Sequence, residues 1–560
     1  MRSQLPTSLV FLLFGFTSYA VNIPFTVRMN PFPSHLHARD ANTSTSTASS
    51  SAAIAPVHNT KNAEYIANIT LGGRLIPVLL DTGSSDLWVT GDVPNTKDTG
   101  KSVSLSYAVG NAAGDINTAD LTFNGYTVPD QAYLLVKNTS SFSLDIKAQG
   151  FEGLIGLGPN SGSSVRDEID NDSGDSVLTR IFSQNTTSQN FLTLLLDRHG
   201  DPGSNITGQI SLSEVIPGYE NITNMPKLSV DKVHKLTDAD QHWQTVTDSN
   251  GVIGPDGQPI KVKSIVPHAD DDQLVVVFDS GYTLPQVPRA MSDAIYGRVQ
   301  GAVYNEKSAV WTVPCDQLIN LSFMFGGVEI PIHPLDVSSS DFGMIDATGN
   351  PVCVGAFQPI TTAFSLLGEY DIILGMGFLR NAYSLFDYGD WVEDSSVDRN
   401  DPYIQLLPIT NKQAAHNDFV QVRMNGVDVS GDSSHQLLPA SQQQSSPLSP
   451  GEKKKQYEEK VLSRWPYILL GCLIFVIALI GIITWRCCVA RKRRIAAKAQ
   501  KAAQMGIAPG GSKGAYTTVD MNGSQVHLKP LSSPGGPNSD GQHYDYETDP
   551  YAYSPRKTEV

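Results

Sequence analysis

Apolar and polar residues alternate in short runs between about residue 62 and residue 408. Residues 65–71 alternate as a strand does, Gly72 and Gly73 predict a turn, and residues 75–80 form an apolar run. Similar runs bounded by turn residues continue to Pro408, with few convincing patterns for long helices. The pattern therefore predicts a largely β region of about 350 residues, which is too large for one small sandwich.

Two uninterrupted apolar segments lie near the ends of the chain. Residues 9–16 follow a basic N-terminus and precede Ala20, which predicts a signal peptide over residues 1–20. Residues 466–485 contain no charge and would span about 30 Å as a helix. The basic residues from Arg486 onwards predict that the C-terminal side is cytosolic. A glycolipid-anchor signal is the alternative, but it would end at its hydrophobic tail, and here residues 486–560 follow. We therefore favour a type I single-span protein.

One motif occurs twice within the β region. Apolar runs lead into Asp81-Thr82-Gly83 and, about 200 positions later, into Asp279-Ser280-Gly281. The glycine permits a sharp turn, and the hydroxyl group can brace it. A single copy is ordinary turn chemistry. Because each copy is later followed by an apolar-apolar-glycine segment (residues 153–158 and 371–375), we predict a duplicated fold that brings two carboxylates together.

Two adjacent carboxylates define a specific chemistry. Like charges raise the pKa of one member, so the pair shares a proton over the acidic range and titrates as a unit. The ionised member can deprotonate a water that attacks a peptide carbonyl, while the protonated member donates to the carbonyl oxygen. This chemistry requires no metal and no other cofactor.

Over residues 62–407 the chain resembles the pepsin-type aspartic endopeptidases. The resemblance implies an all-β, bilobal fold with the active-site cleft between the lobes. It implies that Asp81 and Asp279 are the catalytic dyad, that Thr82 and Ser280 brace the two turns, and that Ser84 bonds the first aspartate. Tyr107 matches the flap tyrosine that closes over substrate, and Trp88 matches the indole that steadies it. The composition is more typical of fungal than of animal members.

Three residues depart from that family pattern. Ala108 and Val109 replace the usual glycine and hydroxyl residue at the tip of the flap. Tyr282 replaces a short hydroxyl residue in the second motif, so the partner of the outer oxygen of Asp279, and with it the pH optimum, is left open.

Charge and cysteine content narrow the class further. The net charge of −16 argues against nucleic acid as a partner. Of the five cysteines, only Cys315 and Cys353 lie in the predicted β region. In a secreted chain a disulfide is the natural prediction for this pair, with two free buried thiols as the alternative. The family's second lobe commonly contains a disulfide at this place.

Sequons for N-glycosylation precede the predicted span and fit a glycosylated ectodomain. Their asparagines are Asn42, Asn68, Asn138, Asn171, Asn185, Asn205, Asn221 and Asn320. Asn522 should stay unmodified, because it lies on the predicted cytosolic side.

These observations divide the chain into seven segments. They are a signal peptide (1–20), a propeptide or disordered leader (21–61), an N-terminal protease lobe (62–222), a C-terminal protease lobe (223–411), a flexible Ser/Gln/Pro-rich stalk (412–465), a transmembrane helix (466–485) and a disordered cytosolic tail (486–560). In the tail, residues 516–519 (Tyr516 to Val519) fit a sorting signal for cytosolic adaptors. Cys487 and Cys488 are placed for palmitoylation, or are ordinary free thiols.

The sequence therefore predicts a monomeric, membrane-anchored aspartic endopeptidase of the secretory pathway, with its catalytic domain outside the cell or in a vacuolar or endosomal lumen. Its partners would be extended polypeptides, cleaved between hydrophobic residues at acidic pH, and the lipid around its single span. The alternative is a catalytically weak or inactive cell-surface receptor that binds peptides in the same cleft and signals through the tail.

Overall fold

The computed structural model describes residues 53–504 except 108–109, 138, 140–141, 143–145, 170, 203–205, 207, 233–240, 347, 361–369, 394, 396–398, 449–451, 455–456, 458–459 and 461–463. The predicted signal peptide, most of the predicted propeptide and the tail beyond residue 504 lie outside these residues. So do Ala108, Val109, Asn42, Asn138, Asn205 and the tail segment 516–519.

Short strands dominate the chain, as the alternating pattern predicts. They are β1 (Ile54–Pro56), β2 (His58–Thr60), β3 (Glu64–Leu71), β4 (Arg74–Asp81), β5 (Leu87–Thr90), β6 (Lys97–Tyr107), β7 (Gly110–Phe123), β8 (Tyr126–Val136), β9 (Gly153–Gly156), β10 (Phe191–Leu195), β11 (Gln209–Leu212), β12 (Leu228–Ser229), β13 (Gln244–Val246), β14 (Val252–Ile253), β15 (Val275–Phe278), β16 (Gln286–Val287), β17 (Val303–Asn305), β18 (Val310–Val313), β19 (Leu321–Phe325), β20 (Val328–Ile332), β21 (Ser338–Ser339), β22 (Cys353–Gly355), β23 (Gln358–Pro359), β24 (Ile372–Leu374), β25 (Ala382–Asp387) and β26 (Tyr403–Pro408).

Among the described residues, the helices with defined bounds are few and mostly short. They are α1 (Ser164–Glu168), α2 (Val177–Ser183), α3 (Arg289–Tyr296), α4 (Pro334–Val337), α5 (Met376–Leu379), α6 (Lys412–Arg423) and α7 (Trp465–Gln504). Single 3₁₀ turns occupy Asn160–Gly162, Asp172–Gly174, Glu220–Asn224, Gly389–Trp391, Ser433–His435 and Ala440–Gln442.

The strands of residues 53–408 form five sheets. An eight-stranded sheet (β2-β3-β4-β9-β5-β8-β7-β6) builds the N-terminal half. Sheets of five strands (β13-β15-β24-β16-β23), four strands (β17-β18-β22-β21) and three strands (β14-β19-β20) build the C-terminal half. A six-stranded sheet (β1-β11-β10-β25-β26-β12) takes strands from both halves and joins them. This architecture confirms the predicted all-β, two-lobed fold.

The predicted duplication is present in the sheet topology. β4, which ends at Asp81, pairs in parallel with β9, so that Asp81 lies opposite Gly156. β15, which ends one residue before Asp279, pairs in parallel with β24. The two apolar-apolar-glycine segments of the sequence are thus the neighbours of the two aspartate strands. β15 is buried on both faces, which explains its continuous apolar sequence, whereas β4 alternates between buried and partly exposed residues until it reaches Leu80 and Asp81.

Two segments that were predicted to lie outside the protease lobes pack against them in the structure. The predicted propeptide ran to residue 61, but β1 pairs with β11 and β2 pairs with β3, so residues 54–60 belong to the folded sheets. The predicted flexible stalk began at residue 412, but residues 412–423 form α6, and the chain that follows packs on α3.

α6 is ordered because it has both a cap and an apolar face. The Asn411 side chain accepts hydrogen bonds from the N–H groups of Gln413 and Ala414, each at 3.0 Å. On the inner face Phe419 is fully buried, and Val420 and Met424 are nearly so. They pack with Leu318, Leu335 and Val429. Polar residues around this face hid the pattern in the sequence.

A strap formed by residues 433–446 continues the docking. The N–H of Leu438 donates to the carbonyl of Arg298 at 2.8 Å, and that of Gln444 to the carbonyl of Gly297 at 2.8 Å. The Ser446 hydroxyl donates to Asp293 at 2.6 Å, where it is buried. A Ser/Gln/Pro-rich composition therefore does not mean a mobile chain here, because its backbone groups find partners on the C-terminal lobe.

Truncating the buried ring on α6 tests this docking. We expect Phe419→Ala to lower the free energy of unfolding by about 3 kcal/mol, at the low end for a buried phenylalanine because its cluster is small. The measurement is chemical denaturation of the full-length protein in detergent. Val422→Ala on the exposed side of the same helix is the control and should change stability by less than about 0.5 kcal/mol. If neither variant changed the free energy of unfolding, the prediction of a flexible stalk would stand instead.

The predicted disulfide is confirmed. Cys315 and Cys353 are bonded, with Cα atoms 4.9 Å apart. Arg423 of α6 places its Nη1 2.8 Å from the sulfur of Cys353, so the docked helix covers the bridge.

α7 forms a separate compact unit of the chain. By length and composition alone it could cross a membrane, with an 18-residue window of mean hydropathy 2.8. It continues past the predicted span to Gln504, so the prediction of a disordered tail is wrong for residues 486–504. Alanine, lysine, arginine and glutamine favour helix, and no glycine or proline interrupts that stretch.

Candidate active site

The two Asp-hydroxyl-Gly turns meet at the junction of the lobes and brace each other symmetrically. The Thr82 hydroxyl donates to the carbonyl of Phe278 at 2.9 Å, and the Ser280 hydroxyl donates to the carbonyl of Leu80 at 2.8 Å. Each hydroxyl also accepts from the backbone N–H of the other, at 2.9 Å and 3.0 Å. These four bonds fix the separation of the two turns.

The position of Asp279 is also fixed by the packing of the strand that precedes it. Phe278, the preceding residue, is fully buried, with ring centroids 5.6 Å from those of Phe325 and Phe378. The N–H of Asp279 donates to the carbonyl of Leu374 at 3.0 Å. Strand pairing and aromatic packing therefore deliver this carboxylate to a set depth.

Both glycines of the motifs are required by the approach of the opposite carboxylate. A Cβ on Gly83 would lie 2.3 Å from Oδ2 of Asp279, and a Cβ on Gly281 would lie 2.5 Å from Oδ1 of Asp81. Each N–H donates to the aspartate of its own turn, at 2.9 Å and 2.8 Å. Each carboxyl group thus lies against the turn that carries the other.

The electrostatics of the pair are asymmetric. Burial, and then the negative charge of Asp81, raise the pKa of Asp279 well above its ordinary value. The Ser84 hydroxyl donates to Oδ2 of Asp81 at 2.5 Å. Among the described residues no side-chain hydroxyl donates to Asp279, where only backbone N–H groups oppose the rise. The pair's proton is therefore held more strongly at Asp279.

The predicted flap is a hairpin of β6 and β7, in which Tyr107 pairs with Gly110. Burial, and then the charges of Asp81 and Asp86, raise the pKa of Tyr107, while hydrogen bonding to Ser84 and Trp88 lowers it. The rings of Tyr107 and Trp88 are 6.4 Å apart. Trp88 is buried and stacks on Phe142 at 5.4 Å. The structure thus brings the predicted flap tyrosine, the indole and the first aspartate together.

The sequence analysis missed an aromatic wall beside the dyad. Nδ1 of His242 lies 3.1 Å from the carbonyl oxygen of Gly83, and its ring meets that of Tyr370 edge-on at 5.9 Å. Burial, and then the charge of Asp279, raise the pKa of Tyr282, which also feels Tyr370. Neither His242 nor Tyr370 lies in a motif, and only the fold brings them to the dyad.

A separate group of three side chains has the spacing of a metal site. Ligand atoms of Asp201, His333 and Asp418 lie within 4.8 Å of one another. However, Nδ1 of His333 accepts from the N–H of Leu335 at 3.1 Å, so that Nε2 holds the proton of the neutral ring. Arg198 also donates to Asp201 at 2.8 Å. We therefore interpret the group as part of an ion-pair network.

Comparisons with known proteins agree with the function that this geometry indicates. The profile of the eukaryotic aspartyl protease family matches residues 64–392, more than half of the chain. The chain belongs to this family. It is an aspartic-type endopeptidase, as the sequence predicted.

Several fungal aspartic proteases are similar to this chain in sequence. Major aspartyl peptidase 1 of Cryptococcus neoformans is 25% identical over 379 residues, covering 61% of this chain and 71% of that protein. A probable aspartic-type endopeptidase of Aspergillus fumigatus is 25% identical over 373 residues (58% and 76%). Aspergillopepsin-1 of Aspergillus oryzae is 25% identical over 342 residues (58% and 74%).

Asp279 has no side-chain hydroxyl donor like the one that Ser84 provides to Asp81, and this difference predicts a change in pH dependence. Loss of the shared proton, which resides on Asp279, ends activity as pH rises. In Tyr282→Thr a new hydroxyl would stabilise ionised Asp279 and lower its pKa, so we expect the alkaline limb of kcat/KM to move down by about one pH unit. The control Tyr282→Phe keeps the ring and adds no hydroxyl, so its limb should stay in place. An unmoved or upward-moved limb in Tyr282→Thr would contradict the assignment of the proton.

Proposed function

We propose that the protease is a membrane-anchored enzyme of the secretory pathway that cleaves extended polypeptides, between hydrophobic residues, at acidic pH. The observation that carries this proposal is the close pair of Asp81 and Asp279, whose two turns are held together by the four hydrogen bonds of Thr82 and Ser280. Because the pair needs one proton to work, activity belongs to the acidic range.

In the proposed reaction Asp81 removes a proton from a water held between the carboxyl groups. The resulting hydroxide attacks the carbonyl carbon of the scissile peptide, and Asp279 gives its proton to the carbonyl oxygen. The tetrahedral intermediate then collapses as a proton passes to the amide nitrogen, the C–N bond breaks, and a carboxylic acid and an amine leave. Tyr107 would close over the substrate and exclude water.

The membrane and secretory parts of the proposal depend on other features. α7 would be the single span, preceded in the ectodomain by the folded protease and in the precursor by the predicted signal peptide. The described sequon asparagines are all exposed, which suits glycosylation; they are Asn68, Asn171, Asn185, Asn221 and Asn320. The propeptide, the monomeric state, the palmitoylation of Cys487 and Cys488 and the adaptor signal at residues 516–519 remain parts of the same proposal.

The alternative function, a peptide receptor with a weak or inactive cleft, is not favoured. Loss of catalysis would relax the groups that support the dyad, yet Thr82, Ser84 and Ser280 all make their hydrogen bonds.

A cleavage assay tests the proposal. Full-length protein in detergent would be incubated with a quenched peptide library between about pH 3 and about pH 7. We expect cleavage that peaks in the acidic range, prefers hydrophobic residues on both sides of the cut and is blocked by a statine-type inhibitor. A folded, processed protein that binds peptides without cutting them would favour the receptor instead.

A further inference from the structure

The part of α7 beyond its apolar stretch is strongly basic. After Trp485 the helix continues to Gln504, and no acidic residue occurs between residues 465 and 504. Its basic residues, all exposed, are Arg486, Arg491, Lys492, Arg493, Arg494, Lys498 and Lys501. Orientation of a membrane span requires such charges near its end but neither a helix nor any spacing among them. Helix and spacing are both present here.

Four of these residues form a stripe, which we call the basic stripe. Arg491, Arg494, Lys498 and Lys501 follow one another at intervals of three, four and three positions, so they share one side of the helix. The opposite side presents Ala496, Ala499 and Ala503, while Lys492 and Arg493 point away from the stripe. Four of the seven basic residues therefore share one face, over about 15 Å of helix.

Like charges at these spacings repel each other and destabilise an isolated helix. A polyanion lying along the stripe would relieve that repulsion. Helical side chains also tilt towards the N-terminus, which for this segment means back towards the apolar stretch. Long lysine and arginine side chains can extend further in that direction. The basic stripe thus presents its charges to a group that projects from the membrane surface.

We propose that the basic stripe binds the headgroup of an inositol phospholipid with several phosphates, in the leaflet from which α7 emerges. This inference rests on the proposed membrane anchoring. A lipid with one net charge holds that charge at the surface, and screening limits its reach to about 8 Å. Lys498 lies about 20 Å along the helix from Trp485. A headgroup with several phosphates places more charge on one molecule, so it can bind several side chains of the basic stripe at once as these extend back towards the membrane.

Two double variants of equal net charge separate stripe recognition from general attraction. Arg494→Gln/Lys498→Gln removes half of the stripe, whereas Lys492→Gln/Arg493→Gln removes two charges that lie off the stripe and nearer the span. Glutamine keeps the helix propensity in both. Full-length protein in detergent would be mixed with equimolar phosphatidylinositol bisphosphate and phosphatidylserine, and the retained lipid measured by native mass spectrometry.

We expect the wild type to retain the bisphosphate in preference to phosphatidylserine. The stripe variant should lose that retention about tenfold, and the off-stripe variant less than about twofold. Equal losses in both variants, or a larger loss in the off-stripe variant, would overturn the inference in favour of general attraction. Retention of soluble inositol trisphosphate as strong as that of the lipid would overturn the assignment to a membrane lipid.

The inference can fail separately from the proposed function. If alkaline carbonate released the protein from membranes, both the proposed membrane anchoring and the proposed lipid binding would be overturned. If the protein stayed in the membrane but showed no lipid preference, only the proposed lipid binding by the basic stripe would be overturned. Peptide cleavage in detergent should be the same for the wild type and both double variants, since the basic stripe lies outside the protease domain.

Discussion

Asp81→Asn and Asp279→Asn are each expected to lower kcat/KM at least about 10⁴-fold, because the two carboxyl groups act as one unit. Asparagine at position 81 cannot take the proton of the attacking water. At position 279 it cannot deliver a proton to the carbonyl oxygen. The double variant should therefore be little worse than either single one. The measurement is cleavage of a quenched peptide selected from the library, followed over the acidic range.

The stability of Asp279→Asn should not fall with its activity, which distinguishes a loss of catalysis from a loss of folding. The pKa of Asp279 is raised in the folded state, so its contribution to stability is complete below the unfolded pKa and is lost as pH rises through the folded value. Asp279→Asn removes this loss. We expect its Tm at neutral pH to equal or exceed that of the wild type.

The exposed Asp92 provides a matched control, since Asp92→Asn makes the same chemical change on the surface of the N-terminal lobe, which also carries Asp81. It should retain full activity. Residual activity of a few per cent in either dyad variant, with the wild-type pH profile, would contradict the assigned roles.

The dyad could be predicted because its signal is local and repeated. Each aspartate stands at the end of an apolar run and before a hydroxyl residue and a glycine, so strand, turn and carboxylate are all encoded within a few residues. Trp88 and Tyr107 could be placed only through the resemblance to a family, because nothing in their own neighbourhoods specifies a flap.

What the sequence did not predict depends on contacts between distant residues. His242 reaches the carbonyl of Gly83 only because the two lobes meet there. The order of α6 and of the strap comes from surfaces supplied by distant residues, such as Leu335 for α6 and Arg298 and Asp293 for the strap. Composition reports the polarity of such a segment, not whether a partner surface exists for it.

A buried ion-pair network joins the two lobes at Asp336. Arg380 of the C-terminal half donates to Oδ1 of Asp336 at 2.7 Å, and Arg198, from the end of β10, donates to Oδ2 at 2.8 Å. Asn381 donates to the same carboxylate at 3.0 Å. Arg380 also donates to the carbonyl of Asn62 at 3.0 Å. The Asp336 carboxylate thus joins two buried guanidinium groups that come from opposite halves of the chain, and Arg198 also pairs with Asp201.

Asp336→Asn should therefore be strongly destabilising, by about 3–5 kcal/mol, because it leaves the buried guanidinium of Arg380 without its anion, whereas Arg198 keeps its ion pair with Asp201. The measurement is chemical denaturation of the full-length protein in detergent. As the control, Asp271→Asn breaks an exposed ion pair with Lys263 (2.9 Å) and should cost less than about 1 kcal/mol. An effect of Asp336→Asn no larger than that of Asp271→Asn would show that the network does not hold the lobes together.

The network should also persist where the dyad works. Burial alone would raise the pKa of Asp336, but the positive charges of Arg198 and Arg380 overcome it and lower the pKa below its ordinary value. The stability it contributes is present above the unfolded pKa, near 4, and is lost only as pH falls through the lower folded value. Asp336→Asn should therefore cost about as much at pH ~5 as at neutral pH, and its cost should shrink only at more acidic pH. A cost that disappears already at pH ~5 would mean that Asp336 takes up its proton in the working range of the dyad, and that acid alone loosens the contact between the lobes.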